Sequence, residues 1–133
     1  MPELICSDLA ASLAFYTQVL GFRVRYARPE ERFAYLERED AELMLEQPLL
    51  RDRLFPKAEL VRPFGRGANF EIEVSDVERL CATVEAAGLE LYLPLEERWY
   101  RRSDDTVGVR QFAVQDPDGY LLRFSQRIGT RPL

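Results

Sequence analysis

Carboxylates, aromatic rings and an arginine in a predicted strand, Arg123, are the side chains that offer chemistry here, because the chain contains no histidine. Catalytic Zn, Fe, Ni and Mn sites normally combine imidazole with carboxylate. Cys6 and Cys81 fall in segments of apolar periodicity without CxxC spacing, which indicates core thiols rather than a disulfide or zinc knuckle. Nucleophile, phosphate-loop and cofactor-fingerprint motifs are absent from the sequence. We therefore expect no metal and no other cofactor.

Strand parity predicts which residues line a ligand site, since successive side chains of a strand point to opposite faces. Apolar positions should pack on helices, which leaves polar and aromatic side chains on the other face. The ligand-binding residues predicted in this way, together with two rings from the charged segment 96–102, are Phe33, Tyr35, Glu42, Glu46, Asn69, Glu71, Glu73, Trp99, Tyr100, Gln111 and Arg123. The alternative is a solvated sheet face for each carboxylate and a core position for Phe33 or Tyr35.

The chemistry of these residues favours a cationic or amphipathic ligand. Glu42, Glu46, Glu71 and Glu73 on one inner surface would focus a negative potential, in a chain whose formal net charge is −5. The aromatic rings could stack on flat heteroaromatic groups of the same ligand. Segment 96–102 is too charged for a buried strand, so we expect an exposed loop in which Trp99 lies at a pocket rim or dimer contact, or merely packs.

The elements that must position these residues show an internal duplication. Segment 3–9 and segment 71–77 share a strand-like run, then Ser-Asp, then an aliphatic residue. Asp8 and Asp76 are predicted helix N-caps, and each is followed by apolar residues at helical spacing. We expect the first helix to stop at Gly21 and the second at Gly88.

Strand-like runs follow each predicted helix. They lie at 22–27, 32–37 and 41–47 in the first half and at 89–93, 109–115 and 120–126 in the second half. Hairpin turns are predicted at residues 39–40 and 116–119, the latter being Asp-Pro-Asp-Gly. The sequence thus predicts one α+β domain over residues 1–133. Two βαβββ half-repeats, about 1–47 and 67–126, are joined by a proline-containing linker at 48–66.

Two motifs carry a resemblance to a known superfamily. The opening Ser-Asp-Leu-x-x-Ser-Leu-x-Phe-Tyr-x-x-x-Leu-Gly-Phe (7–22) and the closing Asp-Pro-Asp-Gly-Tyr-Leu-Leu (116–122) resemble the glyoxalase, bleomycin-resistance and dioxygenase (vicinal oxygen chelate) superfamily. The stretch 96–112 is most similar to the bleomycin-resistance branch. The resemblance implies cupped mixed sheets with helices outside, a ligand cavity inside, and homodimers in many members.

The resemblance also implies where a metal would be held in metal-dependent relatives. The corresponding positions here are Met1, Glu46, Asn69 and Arg123, of which only Glu46 is a good ligand. The Arg123 guanidinium cannot lose its proton and would repel a dication, whereas it could pair with Glu46 or Glu71. The family's metal site is therefore expected to be absent.

Three functions agree with these observations. The one favoured is a metal-free binding protein that sequesters a small cationic molecule, such as a bleomycin-like antibiotic, in cavities at a dimer interface. An atypical or metal-independent lyase, isomerase or dioxygenase of the superfamily, with Glu46 as general base, is the second. An interaction module whose cup receives a partner segment is the third. Fold does not settle the choice, but missing imidazoles weaken the enzyme reading.

Partners and location are bounded by composition. The arginines are spread along the chain rather than gathered into a stripe, which argues against nucleic acid as a partner. No run approaches the roughly 18 apolar residues of a membrane helix, and residues 1–20 lack the pattern of a signal peptide. A cytoplasmic protein without membrane contact is therefore expected.

Metal independence is testable on the purified protein. Treatment with a chelator should leave the melting temperature unchanged, because no histidine-based site contributes binding energy to the fold. Differential scanning calorimetry before and after chelation measures this, and elemental analysis is the control. Stoichiometric Zn, Fe, Ni or Mn in the purified protein would contradict the prediction.

Overall fold

This computed structural model describes residues 1–49 and 60–133. Its regular structure consists of eight strands, two α-helices, one of them extended by a π-helical turn, and a 3-10 turn at Pro29–Glu31 between the second and third strands. The linker predicted at 48–66 lies partly outside the described residues. The elements follow the order β1 (Glu3–Ile5), α1 (Leu9–Ala14, continued as a π-helical turn over Phe15–Val19), β2 (Arg23–Arg28), β3 (Phe33–Arg38), β4 (Ala41–Glu46), β5 (Asn69–Glu73), α2 (Val77–Ala86), β6 (Leu93–Arg101), β7 (Asp105–Gln115) and β8 (Leu121–Pro132).

The chain divides into two compact units, each containing one four-stranded mixed sheet. Unit 1 is made of residues 1–67 and 116–120, and unit 2 of residues 68–115 and 121–133. Sheet 1 in unit 1 has the strand order β1-β4-β3-β2, and sheet 2 in unit 2 has the order β5-β8-β7-β6. In each sheet the first pair is parallel and the other two are antiparallel. The predicted α+β duplication of βαβββ is confirmed.

Local sequence explains how the helices begin and end. The Asp8 carboxylate accepts the Ala11 N–H at 3.3 Å, and the Asp76 carboxylate accepts the Arg79 N–H at 3.1 Å. Each aspartate therefore satisfies one amide that the first helical turn leaves free, as predicted. The residues after the helices include Gly21 at φ +78° and Gly88 at φ +81°, a left-handed conformation that glycine adopts at little cost. No helix of the described residues is long and apolar enough to span a membrane.

Burial alternates along β4 and β5 in the way that parity predicts, whereas residues 33–36 of β3 are buried on both faces. In β4 the buried Leu43 and Leu45 alternate with Glu42 and Met44, and in β5 the buried Ile72 lies between two exposed glutamates. The buried sets lie on the sides that carry the helices, since α1 contacts β4 and α2 contacts β7 and β8. The opposite side of each sheet is therefore free of its unit's helix.

Both cysteines are core thiols. Cys6 and Cys81 are free and buried, with 2% of each residue exposed. Burial raises the pKa of Cys6 to about 12 and that of Cys81 to about 11. Because the thiolate is the reactive form, neither side chain is a nucleophile at neutral pH.

The strands of the second half differ from the prediction in length and place. The structure has β6 at Leu93–Arg101 instead of 89–93, so the segment expected as a loop is a strand. β6 is an edge strand whose charged side chains reach solvent, and high charge excludes only a buried strand. The Arg102 N–H donates to the Asp105 carbonyl at 2.7 Å and closes a short turn that the sequence pattern did not predict. β7 therefore begins at Asp105.

The predicted Asp-Pro-Asp-Gly turn is confirmed and forms a buried polar cluster in unit 1. The Asp116 carboxylate accepts the Asp118 N–H at 2.9 Å, the Tyr120 N–H at 3.0 Å and the Tyr16 hydroxyl at 2.9 Å. Asp118, which is 1% exposed, accepts the Ser7 N–H at 3.0 Å and its hydroxyl at 2.5 Å. The turn is thus bonded to both β1's end and α1's continuation.

Burial raises the pKa of Asp116, and the hydrogen bond from Tyr16 acts in the opposite direction. A carboxyl whose folded-state pKa is raised favours folding below its unfolded pKa, and this contribution is lost as the pH rises through the folded pKa. Asp116→Asn carries no titrating group and retains an oxygen for the backbone amides. We therefore expect the variant's unfolding free energy, relative to wild type, to increase as the pH rises above the ordinary aspartate pKa of about 4.

Urea denaturation at several pH values measures this difference. As the control, Tyr16→Phe removes the opposing hydrogen bond and should cost about 1–3 kcal/mol of stability. A difference between wild type and Asp116→Asn that stays constant across the range would contradict the assignment.

Candidate functional site

A cleft of about 320 Å³ opens on sheet 2, on the side away from α2. The buried Phe112 and Phe124 point to the helix side, so parity directs their neighbours Gln111 and Arg123 to the cleft side. All four strands of sheet 2 contribute to the lining, which consists of Glu71, Glu73, Tyr100, Val107, Val109, Arg123, Ser125 and Arg127. The cleft thus combines two carboxylates and two guanidinium groups with apolar side chains.

Arg123 is held by three neighbours. Its Nη1 donates to Glu71 Oε2 at 2.8 Å and to Gln111 Oε1 at 2.9 Å, and its Nε donates to Asn69 Oδ1 at 3.3 Å. Glu71 is one of the two carboxylates expected as its partner. The pairing neutralises Glu71 and fixes the arginine against the sheet.

Gln111 extends this network toward the edge of the sheet. Its side chain is 2% exposed, and its Nε2 donates to Tyr100 Oη at 2.7 Å and to Glu96 Oε1 at 3.0 Å. A buried amide is costly unless it is hydrogen-bonded, and both ends of this one have partners. The structure thus brings together five predicted residues, namely Asn69, Glu71, Tyr100, Gln111 and Arg123.

The remaining charge in the cleft belongs to Glu73 and Arg127. Glu73 lines the cleft and forms no salt bridge with any residue in the described ranges 1–49 and 60–133. Arg127 is exposed on β8. Because Arg123 offsets Glu71, the cleft is not uniformly acidic, and Glu73 is the carboxylate that can meet a cationic group.

Four predicted residues lie in unit 1, where register places Phe33, Tyr35, Glu42 and Glu46 on one face of sheet 1. Phe33 is 4% and Tyr35 7% exposed, so both rings are buried. The Tyr26 ring stacks on Tyr35 with centroids 4.9 Å apart, and the Tyr35 hydroxyl donates to Glu42. Packing and this bond already occupy the two aromatic side chains.

Trp99 does not join the cleft. It precedes Tyr100 in β6, so its side chain points to the opposite, α2 side of sheet 2. Its ring lies over Gly108, where an added Cβ would be 2.7 Å from ring atoms, and the Arg131 guanidinium lies 3.7 Å from the ring centroid. Trp99 Nε1 donates to Glu97 at 3.1 Å. The ring is a packing element of the edge strand.

Sequence reasoning missed several cleft residues because it made β7 and β8 too short. Val107 precedes the predicted start of β7, and Arg127 follows the predicted end of β8. Val109 and Ser125 fell within the predicted strands and were passed over. Every second residue before Gln111 and every second residue after Arg123 shares the cleft face, and this rule would have identified all four residues.

The side chains at the positions that hold metal in relatives do not fit a metal ion. Arg123 places a permanent positive charge 2.8 Å from the Glu71 carboxylate, and Met1 and Asn69 are poor ligands for a transition metal. Within residues 1–49 and 60–133, no three His, Cys, Asp or Glu side chains come close enough to hold one. No step of the proposed function uses a metal.

Comparison with known families identifies the class of protein. The family model of the Glyoxalase/Bleomycin resistance protein/Dioxygenase superfamily matches residues 2–124, and the chain belongs to this superfamily. The resemblance inferred from the two sequence motifs is confirmed. A comparison with curated proteins gives no match.

Solved structures of three organisms show the range of relatives. A superfamily member from Vibrio splendidus is 41% identical over 95% of both chains, with a TM-score of 0.45. A virulence protein from Salmonella typhimurium is 23% identical over 96% of this chain and 94% of its own, with a TM-score of 0.69. A lactoylglutathione lyase from Agrobacterium tumefaciens is 21% identical over 95% and 91%, with a TM-score of 0.62. The last two share the fold with this chain.

The contact of Trp99 with Gly108 generates a stability prediction. Gly108 has no positive φ, so alanine is compatible with its backbone, but the new methyl group would displace the ring. We expect Gly108→Ala to lower the unfolding free energy by about 1–3 kcal/mol through overpacking. In a Trp99→Leu background, where the ring is missing, the same change should cost little. Urea denaturation of the four proteins measures the coupling, and additive effects would show that the ring does not lie over Gly108.

Proposed function

We propose that this protein binds an amphipathic small molecule in the cleft of unit 2 and does so without a metal. The ligand places a cationic group at Glu73 and an aromatic or aliphatic group against Tyr100, Val107 and Val109. Superfamily membership supports a small-molecule ligand, because the superfamily takes its name in part from bleomycin resistance proteins. Sequestration, antibiotic resistance and a cytoplasmic location, which the sequence favoured, are part of this proposal.

The observation that carries the proposal is the unequal pairing of the two cleft glutamates. Arg123 satisfies Glu71 at 2.8 Å, whereas Glu73, which lines the same cleft, forms no ion pair with any described residue. Glu73 is exposed on β5, so its carboxylate is accessible to a ligand cation. An amphipathic ligand would therefore use both Glu73, through its cationic group, and the apolar part of the cleft lining, through its aromatic or aliphatic group.

The size of the cleft bounds that ligand. A volume of about 320 Å³ lies at the small end of the range for ligand pockets, about 300–1,000 Å³. A compact aromatic amine would fill it, and a bleomycin-like glycopeptide would place one arm there. Phe33, Tyr35, Glu42 and Glu46 remain predicted ligand residues on sheet 1.

Glu73→Gln tests the recognition group, because it removes the charge and retains size and hydrogen bonding. Isothermal titration calorimetry should use bleomycin, 2-phenylethylamine and the anionic counterpart phenylacetate. We expect the variant to bind the two cations about tenfold more weakly, the loss of one charge-assisted contact of roughly 1.4 kcal/mol. Added salt should weaken wild type more than the variant.

Glu90→Gln is the matched control, since it removes the same charge from an exposed position outside the cleft. Its affinities should equal those of wild type. Two results would overturn the proposal. One is a preference of the wild type for phenylacetate over 2-phenylethylamine, and the other is a Glu73→Gln protein that binds the two cations as tightly as wild type does. Chemical change of bleomycin on incubation, followed by NMR, would favour the enzyme alternative.

A further inference from the structure

The outer edge of sheet 2 is a long strand with one hydrogen-bonded neighbour. β6 covers nine residues, pairs with β7 on one side and ends the strand order β5-β8-β7-β6. Glu97, Arg98, Tyr100 and Arg101 on it are exposed. An exposed edge of this length offers free N–H and C=O groups to another strand, and proteins commonly blunt such edges.

The hydrogen-bond pattern of the β6–β7 hairpin identifies the backbone groups that face outward. The Arg102 N–H donates to the Asp105 carbonyl, so these two residues form a hydrogen-bonded pair. Antiparallel pairs alternate between hydrogen-bonded and non-hydrogen-bonded, and the register is continuous from Arg101 back to Glu96. The backbone groups of Glu97, Trp99 and Arg101 therefore point away from β7.

Antiparallel pairing of β6 with a second copy must use these outward groups, and one register matches the charges. When the two-fold axis passes through Trp99, Glu97 lies opposite Arg101 and Glu96 opposite Arg102. An axis at residue 98 would place Arg98 against itself, and an axis at residue 100 would place Arg98 against Arg102. Like charges directly opposite each other destabilise a sheet, so the register centred on Trp99 is the most favourable of the three.

The other sheet edges do not have this symmetry. The charged residues of β2 are Arg23, Arg25 and Arg28, those of β5 are Glu71 and Glu73, and β1 has the single charged residue Glu3. Each of these strands would meet a second copy of itself with like charges. Among the described edges, β6 alone carries acidic residues in its middle and basic residues toward its end, so that antiparallel self-pairing joins opposite charges.

We propose that two copies of this chain associate through β6, antiparallel and centred on Trp99, to form a continuous eight-stranded sheet. The pairing forms about six backbone hydrogen bonds and two Glu97–Arg101 ion pairs, one on each side of the axis. It also places the partner's Arg98 opposite Tyr100, which lines the cleft. Each cleft thereby receives a cationic side chain at its rim from the other copy.

Charge reversal tests the pairing in solution. Arg101→Glu places two glutamates opposite each other, so we expect the dimer dissociation constant from sedimentation equilibrium to rise at least tenfold. Glu97→Arg combined with Arg101→Glu should restore the dimer, because the opposite charges face each other again. Arg79→Glu on α2 makes the same charge change away from the edge and should not alter the constant. Melting curves confirm that each variant is folded.

Cysteine cross-linking tests the register without charge reversal. Hydrogen-bonded antiparallel pairs have Cα atoms about 5.5 Å apart, which is within disulfide range. A mixture of Glu97→Cys chains and Arg101→Cys chains should form a mixed disulfide under mild oxidation, and either variant alone should not. The native thiols are buried and stay free.

A monomeric wild type, an unchanged dimer in Arg101→Glu, or cross-linking of a single variant with itself would each overturn the inference. The proposed binding function is tested separately, because titration of the Arg101→Glu protein with 2-phenylethylamine reports on Glu73 whether or not the dimer forms. A wild type that is monomeric but binds 2-phenylethylamine sinks only the β6 pairing. Loss of binding in an intact dimer sinks only the cleft assignment.

Discussion

A guanidinium that keeps its proton at any physiological pH lies in the cleft of unit 2, and the surrounding side chains are arranged around its need for acceptors. Arg123 reaches Glu71, Gln111 and Asn69 from the second strand of the sheet. These contacts neutralise the charge of Glu71 and hold the amide of Gln111 in one orientation. As a result, the cleft has no net excess of carboxylate. The same positive charge makes the position unsuitable for a metal ion.

Gln111 connects this arginine to the edge strand. One end of its buried amide accepts from Arg123, and the other donates to Tyr100 and Glu96 on β6. The orientation of the amide is therefore set by the arginine, and the orientation of Tyr100 by the amide. Through this chain of bonds, a single cation on β8 influences which groups of β6 face the cleft.

The edge strand has two faces with different roles. On the cleft side, Tyr100 belongs to the polar network. On the α2 side, Trp99 packs over Gly108 beneath Arg131, and Glu97 lies 3.6 Å from Arg110. Strand alternation separates these groups although they are adjacent in sequence. Trp99 and Tyr100, which the sequence assigned to one recognition surface, thus lie on opposite faces of the sheet.

Local chemistry in the sequence determined the duplicated βαβββ order, the caps at Asp8 and Asp76 and the turn at 116–119, because each depends on residues a few positions apart. The lack of histidine likewise excluded the usual metal ligands. Only the tertiary structure decided that β6 runs from Leu93 to Arg101, that Arg123 pairs with Glu71 and that Trp99 packs over Gly108. Those outcomes depend on strand register and on edge position, which are fixed by contacts between residues far apart in the chain.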